Sequence, residues 1–359
     1  MVQNLNETFT DAQLDESIWR ISDFAINADF IDTAWSASNV SVDPIATLLD
    51  DNGQVIDVGA LELTLDTNDL SGKRFTGAEV DTDEFFGYGR YEVVMTPSGE
   101  QGVNSTFFMF TGAPFGDERS EIDFEFLGND TTQVLLTYHS PEGSNGEFVD
   151  LGFDAAEGPN TYAFEWGPDS ISWYANDVLL RTVEDPDIAI PDDPGRIFMS
   201  IWTGNSNVFT GVPNLSGGST SATYYSVSFE GRTAPVALND VVISQSGQPV
   251  TVETLANDSA PVGSLDASTV TIEGSGPQHG SVTINPTTGQ IEYTPDAGFR
   301  GVDTFSYSVQ STEGETSNFG EISVATGFAV FEDFTNGAGG FVYSDDAFRG
   351  TAQPGFADG

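Results

Sequence analysis

Through about its first 230 residues the chain alternates apolar and polar side chains with a period of two, and no segment sustains the 3.6-residue period of an amphipathic helix. Tyr162-Ala163-Phe164-Glu165-Trp166 is followed, after Gly167-Pro168-Asp169, by Ile171-Ser172-Trp173-Tyr174. Asn176-Asp177 then reads as a two-residue turn and Val178-Leu179-Leu180-Arg181 as the returning strand. Strands patterned this way have one apolar face each and bury it by stacking one sheet on another. The expected fold class is therefore all-β, with two packed antiparallel sheets. The 39 Gly and 17 Pro that punctuate these short runs fit the same architecture.

At 359 residues and 38% hydrophobic content, the chain is long enough for two cores and a fragment of a third. All five tryptophans lie before residue 232. Around Arg232-Thr233-Ala234-Pro235 aromatics thin out and β-branched residues with Gly, Asn and Asp turns take over. We read residues 1–232 as one domain and 233–325 as a second, and 326–359 as a truncated further module or a disordered tail. About 90 residues with a strand every ten or so suits a small sandwich of the immunoglobulin type.

Charge narrows the choice of partner. Fifty-six acidic residues against nine Arg and Lys73 give a formal charge of -46, and residues 1–232 carry 40 acidic and eight basic side chains, so the excess is dispersed. Such a surface repels nucleic acid phosphates and anionic lipid, and leaves neutral polymers or cations as partners. Dispersed acidity also reads as solvation in salty surroundings, with calcium uptake as the competing reading. No run of eighteen apolar residues crosses a membrane, and the absence of Cys excludes disulfides and thiol chemistry.

Chemistry concentrates at Glu121-Ile122-Asp123-Phe124-Glu125. On a strand the three carboxylates share one face while Ile122 and Phe124 take the other, and stacked anions hold at least one proton to higher pH than a free acid would. Paired carboxyl groups with separated pKa values are what glycosidic bond hydrolysis needs. The Glu121 and Glu125 Cα atoms are roughly 13 Å apart at about 3.3 Å per residue. Two Glu side chains leaning together cover roughly 7 Å of that, leaving about the 5–5.5 Å carboxyl separation of a retaining enzyme. Taken alone, the triplet reads first as a solvated acidic face on an edge strand, and its context must decide.

Its surroundings resemble glycoside hydrolase family 16, particularly the lichenases, the bacterial endo-β-1,3-1,4-glucanases. The likeness runs from about Phe9 to Phe229. It is densest in Phe86-Gly87-Tyr88-Gly89-Arg90-Tyr91-Glu92-Val93, in Ser105-Thr106-Phe107-Phe108-Met109-Phe110-Thr111-Gly112, and in Glu121 through Thr132. The resemblance implies a β-jelly roll with a concave substrate cleft, Glu121 as nucleophile, Asp123 assisting and Glu125 as acid/base. The family's laminarinases and agarases usually carry an extra residue before the last Glu, and its absence favours the lichenase-like branch. Residues from Ala237-Leu238-Asn239-Asp240 to Phe305-Ser306-Tyr307-Ser308-Val309 resemble cadherin-like immunoglobulin-fold modules of bacterial secreted proteins, with Asn239, Asp240 and Asp258 as calcium candidates.

By the same resemblance the sugar platforms are Trp35, Phe108, Phe110, Tyr138 and Trp202, with Glu79 in reach of sugar hydroxyls; Trp19, Trp166 and Trp173 are assigned to packing. Departures bear on substrate. Lichenases carry Arg where Asp81 stands and Trp where Arg119 stands; His139 replaces a common tyrosine, and Asp32 and Ser200 replace Asn. Arg119 is a substrate-binding candidate for an anionic substituent, and Ile188 to Trp202 equally resembles relatives that cut acidic exopolysaccharides such as succinoglycan. A structural calcium of the family uses an Asp that aligns near Tyr225, so calcium is only an option and no cofactor is required.

The expectation is a secreted, monomeric, retaining endo-β-glucanase, with lichenan-type β-1,3-1,4-glucan as first choice. Depolymerisation of an acidic exopolysaccharide and transglycosylation are the enzymatic alternatives, and a glycan-binding adhesion protein is the non-enzymatic one. Met1 to Glu7 has no secretory signal, so a trimmed leader or a C-terminal export route is expected.

Overall fold

In a computed structural model of the chain, the described residues are 4–25, 30–49, 55–184, 188–204, 209–211, 213, 215, 218–244 and 247–327; the expected module opening at Phe328 lies outside them. Contacts divide the chain into two units, Met1–Thr233 and Ala234–Gly359.

The first unit is the sandwich that alternation demands. Its outer sheet runs in the order Val40–Asp43, Ala60–Asp66, Ser219–Gly231, Gly89–Thr96, Asn160–Trp166, Ser170–Ala175, Val178–Glu184. Its inner, cleft-bearing sheet runs Gly143–Asp150, Gln133–Ser140, Ser120–Leu127, Asn104–Thr111, Arg196–Trp202, Phe75–Thr82, Trp19–Ile21. The Asp66↔Thr76 pairing joins the two along one side, giving a nearly closed jelly roll. Asn4–Glu7 pairs with the end of Ser219–Gly231, so the two termini of the unit are stitched together.

Aromatic rings fill the space between the sheets. Phe107, Phe124 and Phe126 of the inner sheet meet Tyr162 and Phe164 of the outer one, with centroids 4.6–6.0 Å apart. All five are fully buried, at about 1.5–3 kcal/mol for each such side chain. Trp19, Trp166 and Trp173 belong to the same core. The expected turn forms at Asn176 and Asp177, both left-handed (φ 47° and 60°), the backbone of a type I′ hairpin that Asn and Asp tolerate best.

The second unit pairs a four-stranded sheet (Asp240–Ser244, Gly320–Thr326, Gly301–Ser311, Leu265–Glu273) with a three-stranded one (Val250–Val252, Ile291–Pro295, Gly280–Ile284). Ile291, Tyr293, Tyr307, Val309, Ile322 and Val324 form its core. Two of the three calcium candidates, Asn239 and Asp258, are engaged in the unit's own hydrogen bonds, whereas the buried Asp240 Oδ2 has no hydrogen-bond partner among the described residues. Asp258 accepts from the Leu238 amide at 2.8 Å and from the Tyr307 hydroxyl at 2.9 Å, and Asn239 Oδ1 accepts from the Glu321 amide at 2.8 Å.

Candidate active site

Ser120–Leu127 lies between Gln133–Ser140 and Asn104–Thr111, so it is a central strand and its alternation is read by both faces. Ile122, Phe124 and Phe126 enter the core, which sends Glu121, Asp123 and Glu125 to the concave side. Register then lays out three rows across the sheet. Glu121 has His139 on one side and Phe110 on the other; Asp123 has Thr137 and Phe108; Glu125 has Leu135 and Thr106. Beyond them stand Arg196, Phe198 and Ser200, and Asp81 and Glu79 lie opposite the last two.

These rows floor a cleft of about 1010 Å³ that includes Arg20 and Trp35 at one end and Leu135 and His139 at the other. One half is strongly aromatic. Phe108 stacks on Phe198 with centroids 4.9 Å apart, Trp202 on Phe209 at 6.1 Å, and Phe24 leans on Trp35 at 5.8 Å. Such faces suit the flat C–H surfaces of sugar rings. Among the described residues the buried Trp35 Nε1–H has no acceptor.

The three carboxyl groups differ in electrostatics because their surroundings differ. Burial raises all of them. Glu125 is pushed up to about 7, chiefly by desolvation, although the Asn104 amide donates to its Oε1 at 2.9 Å and partly offsets the rise. Asp123, fully enclosed between two other carboxylates, is raised well above its ordinary value by burial and by their charges. Glu121 is raised by burial, against which the Arg119 guanidinium pulls, with Nε at 2.7 Å and Nη2 at 2.6 Å from Oε2. His139 Nε2 lies 3.5 Å from Asp123 Oδ2, and burial followed by the Arg119 charge lowers its pKa to about 4, leaving the ring neutral at working pH. The arrangement thus sets a carboxyl that keeps its proton near neutrality beside one held by a cation, both on one strand face.

Glu79, Phe108, Phe110, Arg119, Trp35 and Trp202 all line the cleft with the triplet. Glu79 accepts from Ser22 Oγ at 2.8 Å, and burial lifts it to about 7. Tyr138 corrects the expectation. It pairs with Ile122, faces the core and is fully buried, with its hydroxyl donating to the Ile188 carbonyl at 2.9 Å. Strand parity is the reason: its neighbours Thr137 and His139 own the cleft face. Asp32 is turned to Arg74, and Ser200 Oγ shares a hydrogen bond with Thr106 Oγ1 at 2.7 Å.

Asp81 is enclosed by two cations from distant segments, Arg20 on its paired strand and Arg196 Nη1 at 3.1 Å. Neither partner, nor Asn104 or Phe198, was identified from the sequence. Asn104 had an available signal, since it lies two residues before Thr106 on the strand that opposes the triplet. Among the described residues, Glu121, Asp123 and His139 bring ligand atoms within 4.8 Å of one another, but a cation there would compete with Arg119 for Glu121.

A jelly roll whose concave sheet carries this carboxylate row in an aromatic cleft is a glycoside hydrolase. The family model for Glycosyl hydrolases family 16 matches residues 44–223, and the bacterial Ig domain model matches 232–324. A β-glucanase of Bacillus amyloliquefaciens is 37% identical over 201 residues, covering 56% of this chain and 74% of that protein, and one of Paenibacillus macerans is 36% identical over 202 residues, covering 56% and 76%. Among solved structures, a β-1,3-1,4-glucanase (lichenase) from a mouse hindgut metagenome superposes with a TM-score of 0.55 at 31% identity, covering 64% of this chain and 99% of that one. The Bacillus licheniformis β-glucanase gives 0.55 at 33%, covering 64% and 98%. The chain belongs to glycosyl hydrolase family 16, with a bacterial immunoglobulin-like domain behind the catalytic one.

Proposed function

We propose that this enzyme is an endo-acting β-1,3-1,4-glucanase in which Glu121 is the nucleophile, Glu125 the acid/base and Asp123 the group that tunes both. One observation carries the assignment: on a single strand face, Glu125 accepts from the Asn104 amide at 2.9 Å, with burial raising its pKa to about 7, while Glu121 is gripped by the Arg119 guanidinium at 2.6 Å. In the first step the Glu121 carboxylate forms a bond to the anomeric carbon as the glycosidic C–O bond breaks, and the Glu125 proton passes to the leaving oxygen. In the second, the Glu125 carboxylate takes a proton from water, the water oxygen bonds to the anomeric carbon, and the Glu121 ester is released. The sugar leaves with its original configuration.

Phe108, Phe198, Trp202 and Trp35 supply platforms on one side of the triplet, while Glu79 and the Trp35 indole N–H meet hydroxyls. A neutral glucan fits this cleft better than an acidic polymer. The two cations that line the cleft and would read an anionic substituent are already engaged, Arg119 with Glu121 and Arg20 with Asp81. The relatives named above are β-glucanases, which supports the same choice. We further assign residues 233–325 a spacer or adhesion role, an extracellular location, a monomeric state and a surface suited to high salt.

Reducing-sugar release from lichenan, laminarin, xyloglucan, agar and an acidic exopolysaccharide tests the substrate. Release from lichenan at least tenfold above the others is the expected result. Preference for laminarin or for the acidic polymer would reject the linkage assignment. Product analysis at high acceptor concentration separates hydrolysis from transglycosylation.

A further inference from the structure

Arg119 is the one cation in contact with Glu121 among the described residues. Its neighbours make that contact consequential. From its own strand Glu121 faces Asp123, with Glu125 one position further along the same face; from Gln133–Ser140 it faces His139; from Asn104–Thr111 it faces the uncharged Phe110. Arg196, the next cation along the row, is committed to Asp81 and the Thr82 carbonyl. Three carboxyl groups and a neutral imidazole therefore share one half-enclosed space with a single guanidinium as counter-charge.

We propose that Arg119 is a positioning residue for the nucleophile: its Nε and Nη2 both grip Glu121 Oε2, holding that carboxylate ionised and fixed in orientation inside a desolvated carboxyl cluster. The inference rests on reading Glu121 as the nucleophile. Geometry supports it independently of titration, since two contacts at 2.6 and 2.7 Å on one oxygen form the planar fork an Arg makes and a Lys cannot. Burial of Glu121 to 15% side-chain exposure removes most of the water that would otherwise stabilise its charge, while Arg119 remains half exposed and so keeps its own hydration. The charge also reaches the rest of the site, acting to lower Glu125, Asp123 and His139. In this chain the ionisation of the nucleophile therefore depends on a residue outside the triplet.

The test is the pH dependence of kcat/KM on lichenan for the full chain, its Arg119→Gln and Arg119→Lys variants, and Glu121→Gln as control. A neighbouring Arg lowers a carboxylate by about 1–3 pH units, so Arg119→Gln should move the acid limb upward by about one unit or more, costing about tenfold in kcat/KM on that limb. The alkaline limb should move less. Arg119→Lys should return the acid limb part of the way, because the charge remains and the fork is lost. Superimposable acid limbs for wild type and Arg119→Gln, or an Arg119→Lys limb no different from Arg119→Gln, would overturn the proposal. Thermal unfolding midpoints verify that the variants fold. Should Glu121→Gln itself retain activity, it is the nucleophile assignment that fails, an outcome separate from either Arg119 result.

Discussion

Asn104 Nδ2 donates to Glu125 Oε1 at 2.9 Å across two adjacent strands, and it is the group that most offsets the desolvation of that carboxyl. Glu125 must carry its proton when the leaving group departs. With burial lifting it to about 7, the alkaline limb of kcat/KM should fall near pH 7, as the proton is lost. Glu121 must be ionised, and since burial raises it, the acid limb should lie above 4.5. Asn104→Ala removes an interaction that favours the charged form of Glu125. A pH–rate profile of that variant should show the alkaline limb displaced upward; displacement downward would contradict the assignment.

Tyr138 contributes to the core. Tyr138→Phe loses the bond to the Ile188 carbonyl and should cost about 1 kcal/mol of stability, read by denaturant unfolding, with kcat/KM changed less than about twofold. A tenfold rise in KM with unchanged stability would return Tyr138 to the cleft.

Asp81 holds Arg20 and Arg196, and Arg196 is buried. Removing one member of a buried pair strands the other at a cost of about 3–5 kcal/mol. Because Asp83 and the Thr82 carbonyl remain near Arg196, Asp81→Ala should sit at about 3 kcal/mol, or roughly 6–12 °C in the unfolding midpoint. A drop under about 2 °C would show that the network contributes little to folding.

What could be read from the residues themselves followed from local periodicity. Alternation placed the triplet on one face, Asn176-Asp177 formed the hairpin its backbone preference requires, and Trp19, Trp166 and Trp173 entered the core. Family likeness pointed to Glu79, Trp35, Phe108, Phe110 and Trp202, which line the cleft. What failed was parity at Tyr138: an aromatic beside cleft residues is assigned to the wrong face if the strand is displaced by one position. Long-range pairings were invisible for a different reason. Asp81 meets Arg20 and Arg196, which are 61 and 115 residues away, and only the order of strands in the sheet brings them together. Arg119 is a different case: its nearness to Glu121 in sequence was plain, but positions two apart in extended chain share a face without touching, and only the long flexible side chain reaching along the strand creates the fork.

The central claim is a covalent intermediate on Glu121, and the most direct test is to trap it. Incubation with an activated fluorinated glucan oligosaccharide that forms the ester but hydrolyses slowly, followed by proteolysis and peptide mass mapping, should place the sugar on Glu121 and leave Glu125 unmodified. A label on Glu125, or products of inverted configuration with no labelled peptide, would contradict the account.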